Sequence, residues 1–316
     1  MSTLFKKPNE LVANTTIKML IYGQPGMGKS TLALSSPDPV LFDFDGGVNR
    51  VNKAFQCPTL QVQNWEQVND AIEELKSGEL SYKTIVIDTA GKMLDYMSDY
   101  IMRNDSKMKT RDGSLQLKGY GVRKTMFIEF LKKVTLMGKN IVFVAHERED
   151  KDGDTRIVRP DMGGSSLGDL LKELDLVGYM QANGVDRAIY WSPQEKFYAK
   201  NTCNLPQWHK VPTVINEKAE VIAQNNFLAT IFANYNQYLA SQAKIGNEYN
   251  DLMEQIKTDI DGITDVDSAN KAVEKIKAYT PIWDSKARAN NMITAKCEEL
   301  GLKFNTATKK YEQAAA

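Results

Sequence analysis

Nine consecutive residues near the start of this chain have the types and spacing of a phosphate-binding loop. They are Gly23, Gln24, Pro25, Gly26, Met27, Gly28, Lys29, Ser30 and Thr31. The first eight fit the pattern G-x-x-x-x-G-K-[ST], in which glycines turn backbone N–H groups toward phosphates and a helix N-terminus attracts the same anion. We therefore predict that the chain binds ATP, with Lys29 reaching the β- and γ-phosphates and Ser30 binding Mg²⁺.

The elements that must position this loop can be identified on both sides of it. The apolar run 19–22 predicts a buried parallel strand, and residues 29–34 predict the start of a helix. From residue 16 to about residue 150, β-rich runs alternate with amphipathic stretches, which is typical of an α/β domain whose mainly parallel sheet carries helices on both faces. The predicted strands are 17–22, 40–45, 59–63, 84–88 and 141–146, and the predicted helices are 65–76, 92–102 and 123–137.

An acidic residue ends the predicted strand 84–88. Four β-favouring residues precede Asp88, which places its carboxylate at the carboxyl edge of the sheet, beside the phosphate loop. At that edge Asp88 can hold Mg²⁺ through a water molecule. The alternative is that Asp88 caps the helix that follows it.

Two further acids, Asp43 and Asp45, end the predicted strand 40–45 at the same edge. Their spacing puts both carboxylates on one face, and a carboxylate within hydrogen-bond reach of water can act as a general base. Asp45 is nearer the glycine turn at Gly46, so we predict that Asp45 activates the attacking water. An Asp-Gly turn formed for its geometry alone is the alternative.

The predicted strand 141–146 brings a histidine to this edge. His146 can sense the γ-phosphate by hydrogen bonding, although a histidine at a strand end is also often an ordinary surface residue. Under either interpretation the sheet places it near the phosphate loop.

The composition limits the class of protein. The chain has 316 residues, of which 40 are basic and 40 are acidic. Because the charges balance, any nucleic acid must contact a local basic patch. No apolar run is long enough to span a bilayer and the chain does not begin with a signal-peptide core, so we expect a cytoplasmic protein with no membrane partner, in the host cell if phage-encoded.

Beyond residue 174 the sequence pattern changes twice. The short runs 176–180, 187–191 and 196–200 predict antiparallel strands that extend the sheet. After about residue 215 the chain is almost wholly helical, with amphipathic segments between residues 247 and 311. We therefore expect a P-loop domain over residues 1–240 and a small α-helical module over residues 241–316 that serves oligomerisation or packing.

Together these motifs resemble the phage-type nucleotide-binding ATPases with a RecA-like core, a group that includes proteins promoting single-strand annealing. The resemblance covers roughly residues 14–235 and rests on the segments 23–31, 43–47, 85–89, 143–147 and 197–206. It implies a RecA-like P-loop NTPase fold, ATP hydrolysis stimulated by DNA, and assembly into a filament or ring.

The resemblance also implies roles for two residues. In the RecA-like superfamily the acid after the second strand activates water, and here it is Asp45, where RecA itself has Glu. A late Lys-x-Lys or Lys-x-Arg reaches the neighbouring subunit's γ-phosphate, and here Lys200 matches the first position while Thr202 stands at the second. A solvated lysine at a strand end is the alternative for Lys200.

RecA-like proteins bind DNA through two loops, and both corresponding segments of this chain are rich in charge. The residues predicted to contact DNA in the first segment, 103–124, are Lys107, Lys109, Arg111, Lys118 and Arg123. The second segment, 148–168, mixes basic and acidic residues, with a predicted hairpin turn at 152–154 and a predicted mobile stretch at 163–166. A solvated surface is the alternative for a charge run.

We therefore predict an ATPase that binds single-stranded DNA and supports phage recombination or annealing, with a single-strand-binding protein or an annealase as a further partner. Two other classes of function remain open. A phosphotransferase would pass phosphate to a small molecule, and a nucleotide-dependent switch or assembly factor would act without contacting DNA.

Overall fold

The computed structural model describes residue 4 and residues 15–152, 155–163, 165–184 and 186–313. The chain divides into two compact units, of which one spans Thr15–Tyr235 and the other includes the residues from Asn236 onward.

Strands and helices alternate in the first part of the Thr15–Tyr235 unit. Their bounds are β1 Lys18–Gly23, α1 Lys29–Ala33, β2 Pro39–Asp43, β3 Thr59–Gln61, α2 Trp65–Lys76, β4 Thr84–Asp88, α3 Ala90–Asn104, α4 Leu117–Leu136 and β5 Asn140–Asp152. The bounds of α2 and β4 are those predicted. Helix α4 begins before the predicted residue 123, and β5 continues beyond the predicted residue 146 into a charged segment.

Shorter elements follow β5. They are β6 Thr155–Pro160, α5 Ser166–Glu173, β7 Leu176–Asn183, β8 Asp186–Tyr190, β9 Lys200–Asn201 and β10 Trp208–Val211. β5 and β6 pair as an antiparallel hairpin. Gly153 and Asp154 of the predicted hairpin turn lie outside the described residues, as does Gly164 of the predicted mobile stretch.

The predicted direction of the strand 176–180 was wrong. β7 runs parallel to β1, with Tyr179 opposite Tyr22, whereas β8 is antiparallel to β7 as predicted. Of the predicted strand 196–200 only Lys200 lies in a strand, the short antiparallel β9, and the antiparallel β10 was not predicted. The parallel part of the sheet therefore has six strands, in the order β7, β1, β5, β4, β2, β3. The predicted antiparallel extension begins only beyond β7.

This strand order gathers the polar strand ends at one edge of the sheet. Gly23 at the end of β1 lies opposite His146 of β5, and Asp43 at the end of β2 lies opposite Asp88 of β4. Because the strands are parallel, all four residues belong to the same edge, where parallel α/β sheets bind ligands.

The core lies on both faces of the sheet, as alternation along β1 shows. Leu20 and Tyr22 pack into a cluster with residues of α2, α3, α4 and α5. Met19 and Ile21 pack into a second cluster with α1 and with the first residues of α6, which spans Phe227–Asp261. The predicted architecture, a mainly parallel α/β sheet with helices on both faces, is confirmed.

The second unit contains the rest of α6 and has its own core. The elements that follow are α7 Val266–Ala278, α8 Ser285–Glu299, β11 Leu302–Asn305 and β12 Lys310–Gln313. Ile256, Ala269 and Ile293 are among its buried residues. The predicted helical module is present, but it also carries the antiparallel pair β11 and β12, which the sequence did not indicate.

Among the described residues, none of the helices has both the length and the apolar character needed to cross a membrane.

We predict that Phe127→Ala destabilises the protein strongly. Phe127 of α4 is completely buried in the core cluster under α2 and α3, and truncating a buried phenylalanine costs about 3 to 5 kcal/mol of unfolding free energy. Leu136→Ala on the same helix is the control, because Leu136 is 86% exposed and should change stability by less than about 0.5 kcal/mol. Urea denaturation measures both values, and similar losses for the two variants would contradict this packing.

Candidate nucleotide-binding site

Two glycines fix the backbone of the phosphate loop. A Cβ on Gly23 would lie 2.7 Å from the carbonyl oxygen of Met180, so the close approach of β7 to β1 requires glycine there. Gly28 has a left-handed conformation with φ 82°, which glycine adopts without strain, and α1 begins at the next residue. The loop is therefore folded so that the N-terminus of α1 faces the carboxyl edge of the sheet.

Lys29 lies inside this loop, with only 5% of its surface exposed. Its Nζ donates hydrogen bonds to the carbonyl oxygens of Gly23, at 2.9 Å, and Gln24, at 2.7 Å. Burial lowers the pKa of Lys29, and the negative charges of Asp88, Glu147 and Asp45 raise it in opposition. The ammonium is thus bonded to two carbonyl oxygens of the loop and lies in the field of nearby carboxylates.

Ser30 and Asp88 meet directly. Ser30 Oγ donates a hydrogen bond to Asp88 Oδ2 at 2.5 Å, and Asp88 is 4% exposed. Burial raises the pKa of Asp88 to about 6, the Ser30 hydrogen bond opposes this shift, and the charges of Asp45 and Asp43 add to it. A buried carboxylate surrounded by other acids is a favourable partner for a cation.

Asp88 does not cap the next helix, which was the alternative interpretation. The N-cap of α3 is Thr89, whose Oγ1 accepts a hydrogen bond from the backbone N–H of Lys92 at 3.4 Å. The carboxylate of Asp88 is therefore left to Ser30.

The structure separates the roles of Asp43, which ends β2, and Asp45, which follows it. Asp43 is buried and accepts hydrogen bonds from the backbone N–H groups of Gly47, at 2.9 Å, and Val48, at 3.0 Å, so it holds the turn. Asp45 is half-buried, accepts one hydrogen bond from Gly47 at 3.0 Å, and pairs with Arg50 at 3.4 Å. Asp45 contributes to the turn as well, but it is the more accessible carboxylate of the two.

His146 lies beside the phosphate loop, half-buried at the edge of β5. Burial lowers its pKa and the positive charge of Lys29 lowers it further, while Asp45 and Asp161 oppose both effects. Its Nδ1 atom is buried and has no hydrogen-bond partner among the described residues. A neutral imidazole with a free ring nitrogen can hydrogen-bond a ligand oxygen near Lys29.

The donor set suits Mg²⁺ bound together with a nucleotide. Mg²⁺ prefers oxygen ligands, takes few of them from protein, and completes its shell with phosphate oxygens and water. A hydroxyl from Ser30 and a carboxylate from Asp88, adjacent at the start of α1, provide such oxygens.

Comparisons with known proteins agree with this geometry. The family model AAA_24, described as an AAA domain, matches residues 15–203, which is more than half of the chain. The chain belongs to this AAA domain family. It therefore carries an AAA-type P-loop ATPase domain over the elements that form the site.

Two individual proteins show weaker similarity. The SPbeta prophage-derived uncharacterized protein YorG of Bacillus subtilis (strain 168) is 24% identical over 257 residues, which cover 75% of this chain and 76% of YorG. The crystal structure of the KaiC-like protein PH0186 from Pyrococcus horikoshii OT3 aligns at 10% identity over 55% of this chain and 77% of its own, with a TM-score of 0.33. That score is too low to support an argument about the fold, which we describe from the strand order of the AAA-type domain itself.

Lys200 does not lie at the nucleotide edge of its own AAA-type domain. β9 pairs with the beginning of β7, at Val177, whereas the phosphate loop adjoins Met180 farther along the strand. The Nζ of Lys200 donates to the carbonyl oxygen of Leu171 at 3.0 Å. A role toward a neighbouring subunit stays a prediction.

Four of the five residues predicted to contact DNA are exposed on one surface segment. Lys107, Lys109 and Arg111 precede α4, and Lys118 is in its first turn. None of the four forms an ion pair with a described residue. The adjacent Asp112 carboxylate accepts hydrogen bonds from the hydroxyls of Thr110 and Ser114.

The structure corrects the prediction for Arg123. Its side chain points inward from α4, donates to Ser98 Oγ at 3.1 Å, and lies over the ring of Tyr120 at 4.9 Å. Arg123 is 8% exposed, so it joins α4 to α3 and is not presented to a phosphate backbone.

The second predicted DNA segment is paired with itself. On the hairpin of β5 and β6, Arg148 and Arg159 both pair with Asp150, at 3.4 Å and 3.3 Å, and Arg156 pairs with Glu149 at 3.4 Å. These acids neutralise much of its positive charge.

Two charged residues near the loop escaped the sequence-based site prediction. Glu147 follows His146 and is among the acids that raise the pKa of Lys29, and its Oε2 is buried. Arg187 of β8 approaches the loop so closely that a Cβ on Gly28 would lie 2.7 Å from its Nη1. The position of Glu147 directly after a strand-end histidine was a usable signal, whereas no local motif marks Arg187.

We predict that Asp88→Asn stabilises the ligand-free protein in a pH-dependent way. The pKa of Asp88 is higher in the folded state than in the unfolded chain. As the pH rises from about 4 to about 6, the unfolded chain therefore releases this proton first, and the free energy of unfolding of the wild type falls. The amide cannot ionise, so the free energy of unfolding should rise by up to about 3 kcal/mol at pH 8 and by about half as much at pH 5.

Chemical denaturation at the two pH values measures this gain. Asp70→Asn on the exposed surface of α2 is the control and should show little effect at either pH. A less stable Asp88→Asn protein at pH 8 would mean that the folded state favours the charged carboxylate, contrary to the effect of burial.

Proposed function

We propose that this protein is an ATPase that binds ATP·Mg²⁺ at the phosphate loop and transfers the γ-phosphoryl group to water. The observation that carries the proposal is the hydrogen bond from Ser30 to the buried Asp88, beside a buried Lys29 at the start of α1. This arrangement offers a cation to phosphate oxygens and hard oxygen ligands to a divalent metal ion.

Each side chain at this edge has a distinct task in the proposed reaction. Lys29 binds the β- and γ-phosphates, Ser30 and Asp88 hold Mg²⁺, and Asp45 orients and deprotonates the attacking water. When bound, Mg²⁺ neutralises charge on the phosphate oxygens. His146, whose pKa is lowered by burial and by Lys29, donates or accepts a hydrogen bond near the γ-phosphate.

ATP hydrolysis by the wild type and by Lys29→Ala tests this assignment. Loss of the buried ammonium should abolish detectable ATP binding and turnover, because no other buried cation lies in the loop among the described residues. The fold should persist, since the Lys29 ammonium donates hydrogen bonds only to carbonyl oxygens of the loop itself. Unchanged ATP binding in Lys29→Ala would contradict the assignment of the loop, and phosphorus NMR showing transfer to anything but water would favour a phosphotransferase.

We also propose that the ATPase binds single-stranded DNA through the segment from Lys107 to Lys118. Its four exposed cations have no ion-pair partners among the described residues. Of the two nearby acids, Asp112 is engaged by hydroxyls and Asp105 accepts a hydrogen bond from the backbone N–H of Lys107. Such a patch binds a phosphate backbone without base specificity and with a strong dependence on salt.

The biological role that fits this proposal is phage recombination or annealing. The prophage origin in the name of YorG supports a phage setting. Assembly into a filament or ring, with Lys200 acting on a neighbouring subunit and a single-strand-binding protein or annealase as partner, completes the proposal. ATP hydrolysis that rises on addition of single-stranded DNA would support the coupling.

Charge reversal tests the DNA surface. The triple variant Lys107→Glu, Lys109→Glu, Arg111→Glu should weaken binding to a single-stranded oligonucleotide at least about tenfold and flatten its salt dependence. The matched control is Lys303→Glu, Lys309→Glu, Lys310→Glu, which makes the same charge change on exposed residues of the second unit. Equal DNA affinity of the first triple variant and the wild type would remove this surface from the proposal, leaving a switch or assembly factor.

A further inference from the structure

Arg187 is fixed by a rigid element at the opposite side of the phosphate loop from the acids. It lies on β8, opposite Ala182 of β7 and Val211 of β10, so its strand is paired with a neighbour on each side. Side chains delivered from the interior of a sheet are positioned more precisely than side chains on loops.

The guanidinium reaches the loop. A Cβ on Gly28 would lie 2.7 Å from Arg187 Nη1, so the cation lies directly against the last glycine of the phosphate-loop pattern. Among the described residues no carboxylate pairs with Arg187, and its neighbour Asp186 is engaged by Lys210 at 2.8 Å. The positive charge of Arg187 is therefore available to a ligand of the loop.

The order of strands determines which part of a nucleotide this cation faces. β5 and β4, which carry His146 and Asp88, and β2, which precedes Asp45, lie on one side of β1, and β7 and β8 lie on the other. Ser30 and Asp88 would hold a metal ion on that side of the loop, so the γ-phosphate that the ion would neutralise is expected there. The backbone of the loop itself, against which Arg187 lies, holds the α- and β-phosphates.

A cavity continues from Arg187 away from the acids. Its volume is about 590 Å³, and it is lined by Gln24 and Met27 of the loop and by Tyr190 and Trp208 of the antiparallel extension. Its size and its aromatic walls suit a ribose and a base whose phosphates lie on the loop.

We propose that Arg187 binds the α- and β-phosphates of the nucleotide and that the adjoining cavity receives the nucleoside. This inference rests on the proposed ATP binding and extends the site from the parallel sheet to its antiparallel extension. A planar guanidinium makes two parallel hydrogen bonds to a phosphate, which an ammonium cannot make.

Nucleotide affinities of Arg187→Ala test the contact. We expect Arg187→Ala to bind ADP and a non-hydrolysable ATP analogue at least about tenfold more weakly, by similar factors, because the contact is to phosphates that both share. KM for ATP should rise while kcat stays within about twofold, and Arg187→Lys should recover part of the affinity.

The matched control is Arg103→Ala. Arg103 is exposed, pairs with Glu66 at 2.9 Å, and lies more than three helical turns along α3 from Ala90, where that helix leaves the site. It should bind both nucleotides like the wild type. Circular dichroism of the three variants checks that the fold is intact.

Three results would overturn the inference. Wild-type affinity of Arg187→Ala for ADP, when Lys29→Ala loses binding, would remove Arg187 from the site and leave the ATPase proposal standing. A loss confined to the ATP analogue or to kcat would place Arg187 at the γ-phosphate instead. A wild-type protein that binds no nucleotide would refute the proposed function and this inference together.

Discussion

The hydrogen bond from Ser30 to Asp88 joins the start of α1 to the end of β4 across the intervening strand β5. It holds a carboxylate in a place where burial raises its pKa and where Asp43 and Asp45 repel it. Lys29, also buried, offsets only part of that unfavourable field. An interior polar group of this kind costs free energy unless its partners are precisely placed, so the surrounding strands and helix must hold these groups in register. The same charges suit a metal ion bound beside a polyanion, because the carboxylates attract the cation and Lys29 attracts the anion.

The parallel sheet provides that register, and most of it could be predicted from the sequence. The helix 65–76 and the strand 84–88 were predicted with their observed bounds, since each combines a clear period with favourable end residues: Asn64 caps α2 and Asp88 ends β4. The direction of β7 could not be predicted in this way. An apolar run such as 176–180 fits either direction, and the choice depends on its pairing with β1, which is distant in sequence.

Two further boundaries depended on tertiary contacts. Glycines in the segment 117–123 weaken a helix prediction, yet α4 begins at Leu117, and the missing side chain of Gly119 leaves room for the buried Leu115. β5 continues into a charged stretch because β6 pairs with it, and the paired charges across the hairpin replace apolar alternation as its sequence signal.

The site was predictable where chemistry follows a local motif and not where it depends on packing between distant residues. The phosphate loop, Asp88 and His146 could be placed at one edge because each comes at the end of an apolar run that predicts a strand. The choice between Asp43 and Asp45 needed the backbone N–H groups of the following turn, which occupy Asp43. The burial of Arg123 depended on Ser98 of another helix.

The connection between the nucleotide edge and the basic surface is short and mechanically simple. Thr89, the residue after Asp88, caps α3, and this 15-residue helix leads directly into the segment that contains Lys107 and Lys109. An α-helix of that length is a rigid body about 20 Å long, with Met93, Met97 and other residues packed in the core beneath it. A displacement of Asp88 on binding Mg²⁺ would therefore move the helix start and, with it, the basic segment at the other end. Since Arg123 ties α4 to Ser98 of the same helix, Lys118 would move with the segment rather than apart from it. The nucleotide-site edge and the basic segment are thus connected within one unit by a single helix and one buried guanidinium.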